Sequence, residues 1–96
     1  MKPSVALGLH RHQVHQILAR FRLGNPRIFG STARGDDIEG SDLDILIDAP
    51  IGTSYYDLAG AEIELEAVLG CKVDLVTSGG LAPDVAKRAE ADMRPM

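Results

Sequence analysis

Segments of helical and of strand-like periodicity alternate along this chain, and Gly- and Pro-containing turns separate them. From Val5 to Leu23 the apolar residues Leu9, Val14, Ile17, Leu18 and Phe21 approximate one helical face. Leu23-Gly24-Asn25-Pro26 stops that helix, with Gly24 placed as its C-terminal cap. Arg27 to Gly30 reads as a buried strand end, and Ser31 to Gly35 as a short helical turn. Asp36 to Gly40 is a polar, solvated loop, and Asp42 to Ile47 reads as a strand. After the loop Ala49–Thr53, Tyr55 to Leu69 is the clearest helix, started by Ser54 and ended by Gly70. Lys72 to Val76 is a third strand, Ser78-Gly79-Gly80 a loop, and Leu81 to Met93 a last helix with Pro83 in its first turn. The economical architecture is α/β: a small mixed sheet with helices packed against it.

At 96 residues the expectation is one domain, spanning 1–96. The net charge of -4 supplies no bulk attraction to phosphate backbones, and aromatic residues are only 4%, so direct nucleic-acid binding is not expected. The lone cysteine, Cys71, permits no intramolecular disulfide, and no stretch approaches the ~20 apolar residues of a spanning helix. No secretory leader is legible before His10. A cytoplasmic protein with no membrane partner is expected.

The chemistry concentrates in Gly30-Ser31, Ala33-Arg34-Gly35 and Ser41-Asp42-Leu43-Asp44. Glycine at a strand end allows close approach of a phosphate, and a serine opening a helical turn adds its hydroxyl to free N–H groups. On a strand, residues i and i+2 share a face, so Asp42 and Asp44 converge while Leu43, Ile45 and Ile47 pack the other side. Asp74, between Val73 and Leu75, is a third carboxylate that joins them if the two strands are neighbours in register. Carboxylates so gathered suit Mg²⁺, which takes one or two of them plus substrate phosphates. The bland alternative for Asp74 is a strand residue paired with Lys72 or Arg34. Other bland readings are simpler. His10, His12 and His15 lie on the wet face of the first helix, and Glu62, Glu64 and Glu66 form a solvated face. Tyr55 and Tyr56 anchor a helix start into the core.

Taken together, Gly30-Ser31, Ala33-Arg34-Gly35, Ser41-Asp42 and Asp44 resemble the signature of the DNA polymerase β-type nucleotidyltransferase superfamily. The short chain is similar to its minimal members. The likeness continues through Tyr56-Asp57-Leu58-Ala59-Gly60, Leu69-Gly70, Val73-Asp74-Leu75-Val76 and the tail from Leu81. The resemblance implies an antitoxin that moves AMP from ATP, with Mg²⁺, onto a tyrosine hydroxyl of a partner HEPN-type toxin, and so neutralises it. It implies that Gly30 and Ser31 hold the triphosphate, that Asp42 and Asp44 ligate Mg²⁺, and that Asp74 completes the triad and activates the acceptor. Arg34 either touches phosphate or braces the loop. Two alternatives stand beside this reading: an antitoxin that acts by cover alone, and a nucleotidyltransferase acting on a small molecule such as an antibiotic. The absence of a second domain counts against the small-molecule reading.

Overall fold

A computed structural model describes residues 1–79 and 83–96. The order is α1 (Pro3–Arg20), β1 (Gly24–Phe29), α2 (Ser31–Arg34), β2 (Leu43–Asp48), α3 (Tyr55–Leu69), β3 (Val73–Thr77), α4 (Pro83–Asp92) and β4 (Arg94–Pro95). The strands form one sheet in the order β3-β2-β1-β4. β2 and β3 are parallel, while β1 runs antiparallel to both β2 and β4. This is the small mixed sheet with helices that the periodicity predicts. Gly80, Leu81 and Ala82, assigned from sequence to the last loop and helix, lie outside the described residues.

α1 does not present one continuous apolar face. His10 leaves helical geometry (φ -119°, ψ 20°) and kinks the helix. Pro3, Ala6 and Leu7 are buried before the kink and Val14, Ile17 and Leu18 after it, so Leu9 is 64% exposed rather than in the core. The expected cap at Gly24 is also displaced. Arg22 takes the left-handed conformation (φ 59°), its N–H bonds to Ala19 O, and the Leu23 N–H bonds to Leu18 O. That is a Schellman ending with buried Leu18 and Leu23 at its two ends. Gly24 is left to open β1, whose register against β2 is irregular between Gly24 and Arg27, where Asn25 has φ 48° and Pro26 lacks an N–H.

α3 is bounded as its sequence indicates. Ser54 and Asp57 form a reciprocal capping box, and Gly70 ends the helix at φ 72°. Its buried stripe is Ala61, Leu65 and Leu69, which meets α1 over Leu43, Ile45, Ile47, Val73 and Leu75. Ile63 falls off that stripe and is exposed. Tyr55 and Tyr56, expected as core anchors, are each 90% exposed, in the first turn of α3 ahead of its buried stripe of Ala61, Leu65 and Leu69. β4 has no sequence signal: two residues carry no periodicity, and pairing of Arg94 and Pro95 with Ile28 and Arg27 alone defines it. No helix among the described residues is long and apolar enough to cross a membrane.

Candidate active site

β2 and β3 run in parallel register, with Asp44 opposite Asp74 and Ile45 opposite Leu75. Register partners on adjacent strands point to the same face, so both carboxylates stand side by side on the sheet face opposite the helical core. The apolar partners Leu43, Ile45 and Ile47 are fully buried on the other face. Asp44 is half-buried. Burial first, then the negative charges of Asp74 and Asp42, push its carboxyl above the ordinary aspartate range, while Lys72 pulls the other way.

Gly30 lies across from this pair. Its backbone (φ 74°, ψ -152°) is essentially open only to glycine. A Cβ there would fall 2.7 Å from Asp44 Oδ2. The missing side chain therefore makes room for the Asp44 carboxylate, a reason the sequence did not disclose. Immediately after it, Ser31 opens α2, whose first-turn N–H groups have no intrahelical partner. Gly35 closes the turn at φ 79°. Thr32 is buried within α2, and its Oγ1 has no hydrogen-bond partner among the described residues.

Asp42 departs from expectation. It sits one residue before β2 rather than on it, and its Oδ2 lies 4.0 Å from Lys72 Nζ. The Leu43 N–H donates to Lys72 O at 2.8 Å, which fixes where the chain enters the strand. The structure thus brings Gly30, Asp44 and Asp74 together and leaves Asp42 at the rim, near enough to act on Asp44 by its charge. Among the described residues, no three His, Cys, Asp or Glu side chains already stand as a ligand set. The donor chemistry nonetheless fits Mg²⁺. Two adjacent carboxylates, one half-buried, face each other with oxygen donors only, and a third lies at the rim.

Of the cations offered as bland partners for Asp74, Lys72 makes its ion pair with Asp42 instead, and Arg34 is engaged elsewhere, bonding Asp92 at 2.9 Å and Asp36 at 3.4 Å. The Asp92 bond, then that to Asp36, raises the Arg34 pKa and braces α2 against α4. Asp48, at the other end of β2, is the contrasting case. It accepts from Asn25 Nδ2 and Arg27, bonds that lower its pKa.

Three carboxylates expected from sequence to be solvated are not. Asp37 is buried and accepts the Ser4 N–H at 2.8 Å. Burial alone would raise its pKa. The Ser4 backbone and hydroxyl, its own N–H and the charge of Lys2 outweigh burial and lower it. Glu66 and Glu62 accept the outward N–H groups of Val73 and Leu75, each at 2.9 Å. Their i, i+4 spacing on α3 matches the i, i+2 spacing of outward N–H groups on β3, the one signal that could have exposed them. Glu64 pairs with Arg20. His10 bonds Gln13 at 2.8 Å, and His12 is exposed.

The nucleotidyltransferase domain family matches residues 14–95. A candidate protein adenylyltransferase of Methanocaldococcus jannaschii is 38% identical over 73 residues, covering 76% of this chain and 78% of its own. The protein adenylyltransferase MntA of Thermococcus cleftensis is 37% identical over 81 residues, covering 84% and 79%. Among solved structures, a candidate minimal nucleotidyltransferase superposes with a TM-score of 0.85 at 35% identity, covering 100% of this chain and 97% of that one. A toxin–antitoxin structure with AMP-PNP superposes at 0.77 over 88% of this chain and 69% of that one, at 20% identity, a likeness of fold.

Proposed function

The chain belongs to the nucleotidyltransferase domain family and is an enzyme of that class, and on that premise we propose that it is an antitoxin that transfers AMP from ATP onto a tyrosine hydroxyl of a partner HEPN-type toxin. The observation that carries the reading is the in-register Asp44–Asp74 pair set against Gly30, a glycine whose missing Cβ admits the Asp44 carboxylate. The relatives named as protein adenylyltransferases support a protein acceptor.

In this reading, Asp44, Asp74 and Asp42 would hold Mg²⁺, which when bound would neutralise phosphate charge and polarise the phosphorus under attack. Gly30, Ser31 and the free N–H groups of α2 receive the triphosphate tail. Arg34 adds its guanidinium to a phosphate oxygen or keeps α2 in place through Asp92. Asp74 takes the proton of the acceptor hydroxyl. The hydroxyl oxygen bonds the α-phosphorus, the bond to the bridging oxygen breaks, and pyrophosphate leaves.

The test is intact mass of the co-purified partner after incubation with the chain, ATP and Mg²⁺. A gain of one or more adenylyl groups, absent with Asp44→Asn, is expected. Equal modification by wild type and Asp44→Asn would remove Asp44 from the chemistry, and no gain with wild type would remove the transfer reading. A second reading, neutralisation by cover alone, is favoured by the exposure of Ile51, Tyr55, Tyr56 and Ile63 on and beside α3. Under it, Asp44→Asn still neutralises the partner at stoichiometric dose.

A further inference from the structure

We propose that Asp37 is a positioning residue for the cation site: from the α2–β2 loop it caps α1, and this anchor sets the direction from which Asp42 meets Asp44 and Asp74. The inference rests on reading those three aspartates as a divalent-cation site.

α1 needs a cap it does not carry. The residue before it, Lys2, supplies no side-chain hydrogen bond, and Pro3 has no N–H to satisfy. The next donor, the Ser4 N–H, is taken at 2.8 Å by Asp37 Oδ2, 33 residues along the chain. Asp37 is 4% exposed, while its neighbours Asp36 and Ile38 are exposed. The loop therefore turns one carboxylate inward, onto a helix whose Pro3, Ala6 and Leu7 are buried.

From that anchor the path to Asp42 is short and closed. The Ile38 N–H donates to Ser41 Oγ at 2.9 Å, and the Ser41 N–H returns a bond to Ile38 O at 3.0 Å. Gly40 takes φ 87° inside this turn. Asp42 follows at once, and Leu43 is already in the sheet. Among the described residues, the side chain of Asp42 has only a 4.0 Å contact with exposed Lys72, a pairing that holds little in water. The ion pair of the Met1 amine with Glu39 joins two exposed groups and is weak for the same reason. Asp37 is thus the one buried polar anchor described between Gly35 and Asp42, and it ties the loop to the core through α1.

The probe is Mn²⁺ alone, titrated into the full chain and followed by electron paramagnetic resonance of the free ion, with melting temperature recorded on the same samples. Asp37→Ala is expected to weaken Mn²⁺ binding roughly tenfold, the scale of losing a group that orients a metal ligand. Asp37→Asn is expected to restore most of it, since an amide oxygen still accepts from Ser4. Asp37→Ser, too short to reach Ser4, is expected to match Asp37→Ala and serves if the alanine variant does not fold. Wild-type affinity in folded Asp37→Ala or Asp37→Ser, with binding lost in Asp44→Asn, would overturn the positioning role. Wild type that binds no Mn²⁺, or Asp44→Asn that binds like wild type, would instead overturn the cation site on which the inference rests.

Discussion

β3 has carboxylates on two sides, and they are treated in opposite ways. On its outer edge, Glu66 and Glu62 of α3 accept the N–H groups of Val73 and Leu75. On its inner side, Asp74 stands beside Asp44 of β2, and the pair faces itself. A parallel strand sends alternate N–H groups to alternate neighbours, so the same three residues, Val73-Asp74-Leu75, serve both arrangements. Outward N–H groups meet glutamates, while the side chain between them meets a like charge. The glutamates close an edge that would otherwise offer free donors to another strand. Burial, and then the charge of its neighbours, raises the Asp44 pKa, and this is the pair we propose for a cation. A carboxylate supplied with donors is structural, and one supplied with another carboxylate is where the proposed cation would bind.

Substitution at Gly30 tests the contrast most severely. Gly30→Ala places a Cβ 2.7 Å from Asp44 Oδ2 at φ 74°. Backbone strain alone is expected to cost about 1–3 kcal/mol. Displacement of the carboxylate is expected to lower transfer roughly 100-fold. Thermal melts and single-turnover transfer on the folded fraction check both, and a variant that transfers normally would mean the Asp44 position is not critical.

The glutamate edge should answer in the reverse sense. Glu62→Ala and Glu66→Ala each leave a part-buried N–H without its partner, expected to cost about 1 kcal/mol in urea unfolding. Transfer per folded molecule should not change. Loss of transfer without loss of stability would erase the distinction between the two sides of β3.

The smallest effect is in the pH dependence of stability, measured without metal. The Asp44 pKa is raised on folding, so the folded state holds the proton more tightly than the unfolded state does. Asp44 therefore lowers stability as pH rises from its unfolded value near 3.8 through the raised folded value. The pKa of Asp37 is lowered, so its contribution is full above the unfolded value near 3.8 and is lost as pH falls through the folded one. Asp44→Asn should remove the first slope and Asp37→Asn the second. Identical profiles for both variants would show that the two carboxylates do not differ in this way.

Much of this arrangement was legible before the fold. The adjacency of Asp44 and Asp74 was conditional on two strand-like runs, Asp42–Ile47 and Lys72–Val76, being neighbours in register, and the sheet makes them so. The limits of α3 followed from Ser54 and Gly70, whose capping roles are local. The failures share a cause. Asp37 lay among other acids in a loop, and nothing nearby announced that Ser4 would need its oxygen. Leu9 matched a helical period, yet the kink at His10 left it exposed. Tyr55 and Tyr56 are expected from sequence as helix-start anchors, and they are exposed. They stand in the first turn of α3, ahead of its buried stripe.

By itself, then, the sequence determined the limits of α3, the mixed α/β class, and which residues carry oxygen donors at strand ends. These depend on interactions within a few residues: caps, turns and side-chain alternation. Tertiary structure decided which carboxylates are satisfied and which are not. Asp37 became a cap, Glu62 and Glu66 became an edge, and Asp44 and Asp74 became a pair, because the nearest donor or charge to each comes from a different element. Only packing sets those distances, and at such short range the distance decides whether a carboxylate is neutralised, bonded or left for a cation.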